Sequence, residues 1–240
     1  MDDRALARVV RNTVDKCIPF VVHVELTWKC NLACCHCYLP PGGISELTLE
    51  QWSQIFAELK RQGTLFVAIS GGEPFLRDDL FGILKSVRQS GLALRLLTNG
   101  TMIGAKEATQ LKELCPAAVE VSLLGGNAST YEEITGVTGS FQKLRDGLVH
   151  LKNNGVRTIL KIPVMRANWR EFDAMKQIAS ELDMKVRYDV CISPRTDGDK
   201  TPTEQRLTAK ELAAFLEEQS PSPGKLEIPT INADAVPCGA

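Results

Sequence analysis

The chain has 240 residues, a length that suits one α/β domain and that needs no disulfides to bury a core. Its 28 Lys and Arg residues nearly balance 29 Asp and Glu residues, which argues against bulk binding to nucleic acid or to an anionic membrane. No stretch approaches the ~18 apolar residues of a membrane span, and the N-terminus lacks the basic-then-apolar order of a signal peptide. We therefore expect a cytoplasmic protein with neither a nucleic-acid partner nor a membrane partner.

Strand-like runs alternate with helical patterns along the chain. After an amphipathic helix at 2–16, the predicted strands cover 21–26, 65–70, 92–97, 118–123, 157–164 and 185–190. The predicted helices that follow them cover 48–61, 78–90, 104–114, 141–154, 169–183 and 208–219. The strands are rich in Val, Ile and Leu, which is typical of a parallel sheet covered on both faces. This rhythm predicts an α/β fold, either an open doubly wound sheet or a barrel.

The first and fourth β-α units carry insertions. Both insertions follow the C-terminal end of a strand, which is where α/β folds place their chemistry. We divide the chain into a helical lead-in at 1–19, a core at 20–219 and a Pro-rich linker at 220–240.

Four of the eight cysteines lie in the first insertion, three of them as the C-x3-C-x2-C pattern of Cys30, Cys34 and Cys37. Three thiolates on one short loop can converge on a single centre. Iron–sulfur clusters usually take four cysteines, so a set of three would leave one iron open to a substrate or cofactor. A zinc site and a group of reduced, buried cysteines are the alternatives that the spacing leaves open.

Polar motifs stand at the ends of the next two strands. In the segment SGGEP, Gly71 and Gly72 allow the backbone to approach a ligand closely, and Glu73 supplies an anion at the same place. A tight strand-to-helix turn is the alternative interpretation. Asn99 lies in a TNG turn that ends the third predicted strand, at the mouth of a barrel if one forms.

Three more polar residues lie on or just beyond later strands. Ser122 ends the fourth predicted strand and stands either in a site or as an ordinary core hydroxyl. Lys161 alternates with apolar neighbours in the fifth strand, so it faces the opposite side of the sheet from them. Asn168 follows that strand, either as a binding residue or as the cap of the next helix.

The cysteine loop and these strand-end motifs resemble those of the radical S-adenosylmethionine (radical SAM) superfamily over residues 19–191. The resemblance implies a partial (β/α)6 TIM-like barrel with outer helices. It implies a [4Fe-4S] cluster on Cys30, Cys34 and Cys37, with S-adenosyl-L-methionine (SAM) bound to the fourth iron. It further implies reductive cleavage of SAM to a 5′-deoxyadenosyl radical, hydrogen abstraction from a substrate, and an electron donor such as flavodoxin or ferredoxin.

The same resemblance implies a SAM site built from strand ends. Glu73 and its glycines would hold the SAM ammonium group, Ser122 the ribose and methionine side, and Lys161 the carboxylate. The lysine is assigned because the loop TYEEITGVTG lacks the arginine that relatives often place there. The complete predicted cofactor-binding set is His36, Tyr38, Gly71, Gly72, Glu73, Asn99, Ser122, Lys161 and Asn168. His36 and Tyr38 are the candidates for the adenine pocket, and no further catalytic residue is predicted.

The last three residues, Cys238-Gly239-Ala240, resemble the opening of the C-terminal SPASM or twitch extension, which binds auxiliary clusters in many relatives. We therefore expect a core cut at the start of that extension, with auxiliary clusters only in a longer chain. The predicted substrate is a ribosomally made peptide. A tetrapyrrole- or heme-pathway radical SAM oxidoreductase is the alternative, and a zinc-binding interaction module is a more distant one.

Overall fold

The computed structural model describes Arg11, Thr13 and residues 15–219. Most of the predicted helix at 2–16, the predicted linker at 220–240 and Cys238 therefore lie outside the described residues. The chain divides into a first unit that ends at Arg206 and a second that begins at Leu207. The grouping of 208–219 with the core stays a prediction.

Six parallel strands form one sheet in the first unit. They are β1 (Val21–Glu25), β2 (Phe66–Ser70), β3 (Ala93–Thr98), β4 (Ala118–Ser122), β5 (Thr158–Pro163) and β6 (Lys185–Asp189). Each strand pairs with the next one in sequence, so β1 and β6 form the two edges of the sheet. The six predicted strands are confirmed, with ends that differ by no more than about one residue, within the usual uncertainty of element boundaries.

Helices follow the strands in alternation. They are α1 (Leu49–Gln62), α2 (Leu80–Gln89), α3 (Ala105–Leu114), α4 (Ala128–Thr135), α5 (Ser140–Asn153) and α6 (Phe172–Glu181), and the second unit contains α7 (Ala209–Gln219). Short 3-10 helices cover Pro74–Leu76, Trp169–Glu171 and Thr201–Gln205.

The two faces of the sheet differ in chemistry. On one face, the central strands place fully buried aliphatic side chains, namely Val67, Ile69, Leu94, Leu96, Val119, Val121, Leu160 and Ile162. The residues between them, among them Arg95, Glu120 and Lys161, face the other way because side chains alternate along a strand. The expectation of two covered apolar faces was therefore wrong. One apolar face and one charged face favour a partial barrel with a polar interior over a doubly wound sheet.

The insertion after β4 contains a helix that the sequence analysis treated as a loop. Helix α4 begins after Asn127, whose side chain accepts a hydrogen bond from the backbone N–H of Thr130 at 3.1 Å. It ends at Gly136, whose φ of 67° is left-handed. An Asn cap and a Gly stop with eight residues between them are ordinary helix signals, and this short helix was missed because it lies inside an insertion.

Candidate cofactor site

The loop that carries the cysteines (residues 27–38, the cysteine loop) begins against the end of β2. Gly72 and Glu73 donate backbone hydrogen bonds to the carbonyl oxygens of Thr27 and Lys29, at 2.8 and 2.9 Å. A Cβ on Gly71 would lie 2.3 Å from the Thr27 oxygen, and a Cβ on Gly72 would lie 2.2 Å from the Lys29 oxygen. The expected close approach is real, but in this structure the backbone that approaches belongs to the cysteine loop. We call this the β2 contact (Gly71–Glu73).

A buried arginine close to the β2 contact connects the segments on either side of the cysteine loop. The side chain of Arg77 is only 7% exposed, and it donates hydrogen bonds to the carbonyl oxygens of Leu26 and Leu47 and to the carboxylate of Glu46. Glu46 in turn accepts a hydrogen bond from the Thr27 hydroxyl at 2.7 Å. The guanidinium therefore ties the start of the cysteine loop to the segment that leads into α1.

The middle of the cysteine loop is held by the end of α4. The backbone N–H of Ala33 donates to the carbonyl of Thr135 at 2.8 Å, and that of Cys35 donates to the carbonyl of Ile134 at 3.0 Å. The last carbonyls of a helix have no partner within the helix, so they are available to another segment. We call this the α4 contact (Ile134–Gly136).

Glu73 is fully buried and connects the ends of β2 and β3. Its carboxylate accepts hydrogen bonds from the Thr98 hydroxyl and from the backbone N–H groups of Asn99 and Phe75, at 2.8, 2.8 and 3.1 Å. Burial raises the pKa of Glu73 to about 7, and the three donors oppose that rise. A carboxylate offers about four lone-pair positions, so about one is free for another donor.

Asn99 joins the end of β3 to the cysteine loop. Its side-chain amide donates to the side-chain oxygen of Asn31 at 2.8 Å and lies 3.9 Å from the sulfur of Cys30. Its side-chain oxygen accepts hydrogen bonds from the backbone and hydroxyl of Thr101. The predicted TNG turn is therefore part of the cysteine site.

The three cysteines of the motif are free thiols whose surroundings fit an iron–sulfur cluster. The backbone N–H of Leu32 donates to the Cys30 sulfur at 3.4 Å, and Cys37 donates its backbone N–H to the Cys34 carbonyl. Burial raises the pKa of the Cys34 thiol far above its ordinary value, and the neighbouring Cys30 and Cys37 add to that rise. Crowded thiolates of this kind become stable once a cationic centre binds them.

No three His, Cys, Asp or Glu side chains among residues 15–219 already converge as a site for a single metal ion. Measuring iron and acid-labile sulfide distinguishes an iron–sulfur cluster from a zinc ion, because only the cluster contains sulfide.

His36 and Tyr38 flank the last cysteine of the motif. The Nδ1 atom of His36 is buried and has no hydrogen-bond partner among the described residues, and burial lowers the pKa of His36 to about 4. This imidazole is therefore neutral near pH 7. The Tyr38 hydroxyl donates to the Glu25 carboxylate at 2.5 Å, on the charged face of β1.

The remaining predicted residues lie at the ends of β4 and β5. Ser122 is the register partner of Lys161 on the charged face of the sheet, so the two stand side by side. Asn168 is only 1% exposed, and its side chain bonds to the backbone of Leu124, Pro163 and Met165. It does not cap the following helix; it ties the exit of β5 to the exit of β4.

The charged interior of the sheet was not predicted from the sequence. Glu120 is only 3% exposed and is paired with Arg95 and, at 3.5 Å, with Arg187. Burial lowers the pKa of His23, and the charges of Glu25, Lys161, Arg95 and Glu120 also act on it. Single charges that alternate with apolar residues in several strands were the signal for this interior.

A parallel partial barrel whose first strand leads into a three-cysteine loop, with polar groups from the next strand ends around that loop, defines a cofactor-dependent α/β enzyme. The sequence profile of the Radical SAM superfamily matches residues 24–179, and the chain belongs to this superfamily. The cofactors that membership implies are a [4Fe-4S] cluster and SAM.

Relatives with known roles share this region. The chain is 32% identical over 164 residues to the Fe-coproporphyrin III synthase of Methanosarcina barkeri, covering 67% of this chain and 41% of that protein. It is 31% identical over 172 residues to the mycofactocin maturase MftC of Mycobacterium tuberculosis, covering 70% and 44%. The chain therefore spans less than half the length of these two relatives.

A solved structure confirms the partial barrel. Streptococcus suis SuiB bound to S-adenosylmethionine superposes with a TM-score of 0.72 at 17% identity, over 90% of this chain and 51% of that one. Separately, none of the helices within the described residues is both long and apolar enough to cross a membrane.

Proposed function

We propose that this chain contains the catalytic core of a radical SAM enzyme, formed by residues 20–219. The carrying observation is the convergence of the cysteine loop with the ends of β2 and β3 through Glu73 and Asn99. A [4Fe-4S] cluster held by Cys30, Cys34 and Cys37 would supply the electron for reductive cleavage of SAM, and SAM bound beside it would supply the radical for hydrogen abstraction from the substrate. The protein supplies ligands, orientation and exclusion of competing reactions.

In this proposal Cys30, Cys34 and Cys37 hold the cluster. The N–H of Leu32 and the amide of Asn99 lie toward the Cys30 sulfur, and they would stabilise its negative charge. Cys35 is exposed and is not assigned as a ligand.

SAM would lie beside the cysteine loop, across the strand ends. The remaining acceptor position of Glu73 suits the SAM ammonium group. The close approach at Gly71 and Gly72 keeps the backbone of Glu73 against the cysteine loop. Ser122 and Lys161 are neighbours in register on the charged face of the sheet, and their side chains would contact the SAM ribose and carboxylate.

The adenine pocket is assigned to the neighbourhood of His36 and Tyr38, where a neutral imidazole presents its ring. Asn168 would act by fixing the exits of β4 and β5.

The favoured substrate is a ribosomally made peptide. This choice is supported by relatives named as a mycofactocin maturase and a PqqA peptide cyclase, and by a SuiB structure bound to the precursor peptide SuiA. A tetrapyrrole of the heme pathway is the second candidate, supported by relatives named as heme synthases. The electron donor would be flavodoxin or ferredoxin, in a reducing cytoplasm.

Anaerobic reconstitution tests the cluster. About four irons and four sulfides per chain, with absorbance near ~400 nm, are expected, and each of Cys30→Ala, Cys34→Ala and Cys37→Ala should lose them. Cys35→Ala is the matched control and should keep them. Bound zinc without sulfide, or a full cluster in the Cys34→Ala protein, would contradict the assignment.

SAM affinity tests the role of Glu73. In Glu73→Gln a charge-assisted hydrogen bond is lost, so SAM should bind about tenfold more weakly while the iron content stays unchanged. Equilibrium binding to the reconstituted protein measures this effect. Unchanged affinity would show that the carboxylate serves only the turn.

A further inference from the structure

The hydroxyl of Tyr131 is a buried polar group without a partner. The residue is 0% exposed, and no hydrogen bond of its hydroxyl to any described residue is present. A buried hydroxyl that stays unpaired destabilises the folded protein, because it has lost its hydrogen bonds to water. Phenylalanine would fill the same space without that cost, so the hydroxyl indicates an acceptor that the polypeptide itself does not supply.

Tyr131 lies in α4, the helix whose last carbonyls hold the cysteine loop. The residue lies one turn before Ile134 and Thr135, whose carbonyls hold the two neighbours of Cys34 in the cysteine loop. Residues four apart lie on the same side of a helix, so Tyr131 shares the side of Thr135. Both side chains are fully buried at this helix end, where the Tyr131 ring also packs against Phe141.

The electrostatic surroundings agree with this placement. Burial raises the pKa of Tyr131, and the charges that add to this rise are those of Cys34, Glu73 and Cys30, in that order. Two of the three predicted cluster ligands and the buried Glu73 carboxylate are thus the charged groups that act on this hydroxyl. The backbone is fixed as well, since a Cβ on Gly125 would lie 2.7 Å from the Tyr131 nitrogen.

We infer that Tyr131 donates a hydrogen bond to a sulfur of the cluster on its Cys34 side and thereby raises the reduction potential of the cluster. The inference rests on the proposed function, because it needs the cluster on Cys30, Cys34 and Cys37. Hydrogen bonds to cluster sulfurs stabilise the more negative, reduced state. Tyr131 is a positioning residue in this account: it takes no proton from the substrate and binds no iron.

The test compares the wild type with Tyr131→Phe after anaerobic reconstitution, by a redox titration without SAM that is followed by electron paramagnetic resonance. A hydrogen bond that is stronger to the reduced than to the oxidised cluster should change the ratio of reduced to oxidised cluster about fivefold at a fixed potential. For a one-electron couple this is a midpoint about 40 mV more negative in Tyr131→Phe. The iron–sulfur stretching bands in resonance Raman spectra should also move to higher frequency.

Two further proteins complete the comparison. Tyr188→Phe is the matched control, because Tyr188 packs against Phe172 on the apolar face of the sheet. The cluster midpoint of this variant should equal that of the wild type. Incorporation of 3-fluorotyrosine at position 131 strengthens the donor, so it should shift the midpoint in the positive direction. This variant keeps the test decisive if Tyr131→Phe binds the cluster poorly.

The outcomes separate the inference from the proposed function. A wild-type protein that takes up no four-iron cluster overturns both. A full cluster with an unmoved midpoint in Tyr131→Phe overturns only the inference. An unmoved midpoint together with weaker SAM binding in Tyr131→Phe also overturns only the inference, because the hydroxyl would then bind SAM and not the cluster. Opposite shifts in the phenylalanine and fluorotyrosine proteins support the inference.

Discussion

The β2 contact and the α4 contact hold the same loop, and they differ in how closely the backbone segments approach each other. At the β2 contact, backbone meets backbone so closely that a Cβ on Gly72 would lie 2.2 Å from the Lys29 oxygen. At the α4 contact, two helix-end carbonyls accept hydrogen bonds from the loop, and a Cβ on Gly136 would lie 3.3 Å from the Ala33 oxygen. Both contacts contain two backbone hydrogen bonds, but only the start of the loop is packed so closely that a Cβ does not fit. The two contacts should therefore respond differently to a single methyl group.

The largest expected effect is at the β2 contact. Gly72→Ala forces the Lys29 carbonyl to move, because the oxygen that the new Cβ would meet belongs to the backbone and cannot rotate away. This should destabilise the protein by about 3 kcal/mol. The reconstituted variant should hold much less iron than the wild type. Chemical denaturation and iron analysis measure the two effects. Gly43→Ala is the control, because a Cβ there meets nothing within 4 Å. Equal stability of the two variants would refute the steric account.

The second effect is a pH dependence that belongs to Glu73. Its pKa is raised from 4.5 to about 7 in the folded protein, so the folded state binds this proton more tightly than the unfolded state does. The contribution of Glu73 to the free energy of unfolding is therefore fully present below pH 4.5, and it is lost as the pH rises through about 7. One proton corresponds to at most about 1.4 kcal/mol per pH unit.

Glu73→Gln isolates this contribution. The free energy of unfolding of the reduced protein without cofactors, measured between pH 5 and 7.5, should fall less steeply in the variant than in the wild type. Parallel curves would mean that the three hydrogen bonds keep the carboxylate ionised throughout this range.

The smallest expected effect is at the α4 contact. Gly136 and Gly139 both have left-handed backbones, with φ of 67° and 78°, but a Cβ meets Ala33 only at Gly136. Both alanine variants should lose about 1 kcal/mol from backbone strain. The additional loss in Gly136→Ala, a few tenths of a kcal/mol by thermal unfolding, measures the contact with the cysteine loop. A Gly139→Ala protein that is the less stable of the two would contradict this reasoning.

Much of this site was predictable because its residues are joined by local chemistry. The C-x3-C-x2-C spacing brings Cys30, Cys34 and Cys37 into one loop, and the strand-end positions of Glu73 and Asn99 bring them to one edge of a parallel sheet. Tyr131 was not predicted. Its relation to Cys34 depends on how a short helix packs across more than ninety residues of intervening chain, and neither segment carries a pattern for that.

The β-α order, the six strands and the loop that bears the cysteines follow from the amino-acid sequence alone, because periodicity and spacing are local properties of the chain. Only the tertiary structure decided that the glycines of the SGGEP segment accommodate the cysteine loop, that Glu73 is buried among three donors, and that charges fill the inner face of the sheet. Burial and close approach depend on which segments meet in space. A glycine or a carboxylate can form a turn, bind a ligand or contact a neighbouring segment, and the tertiary contacts decide which of these occurs.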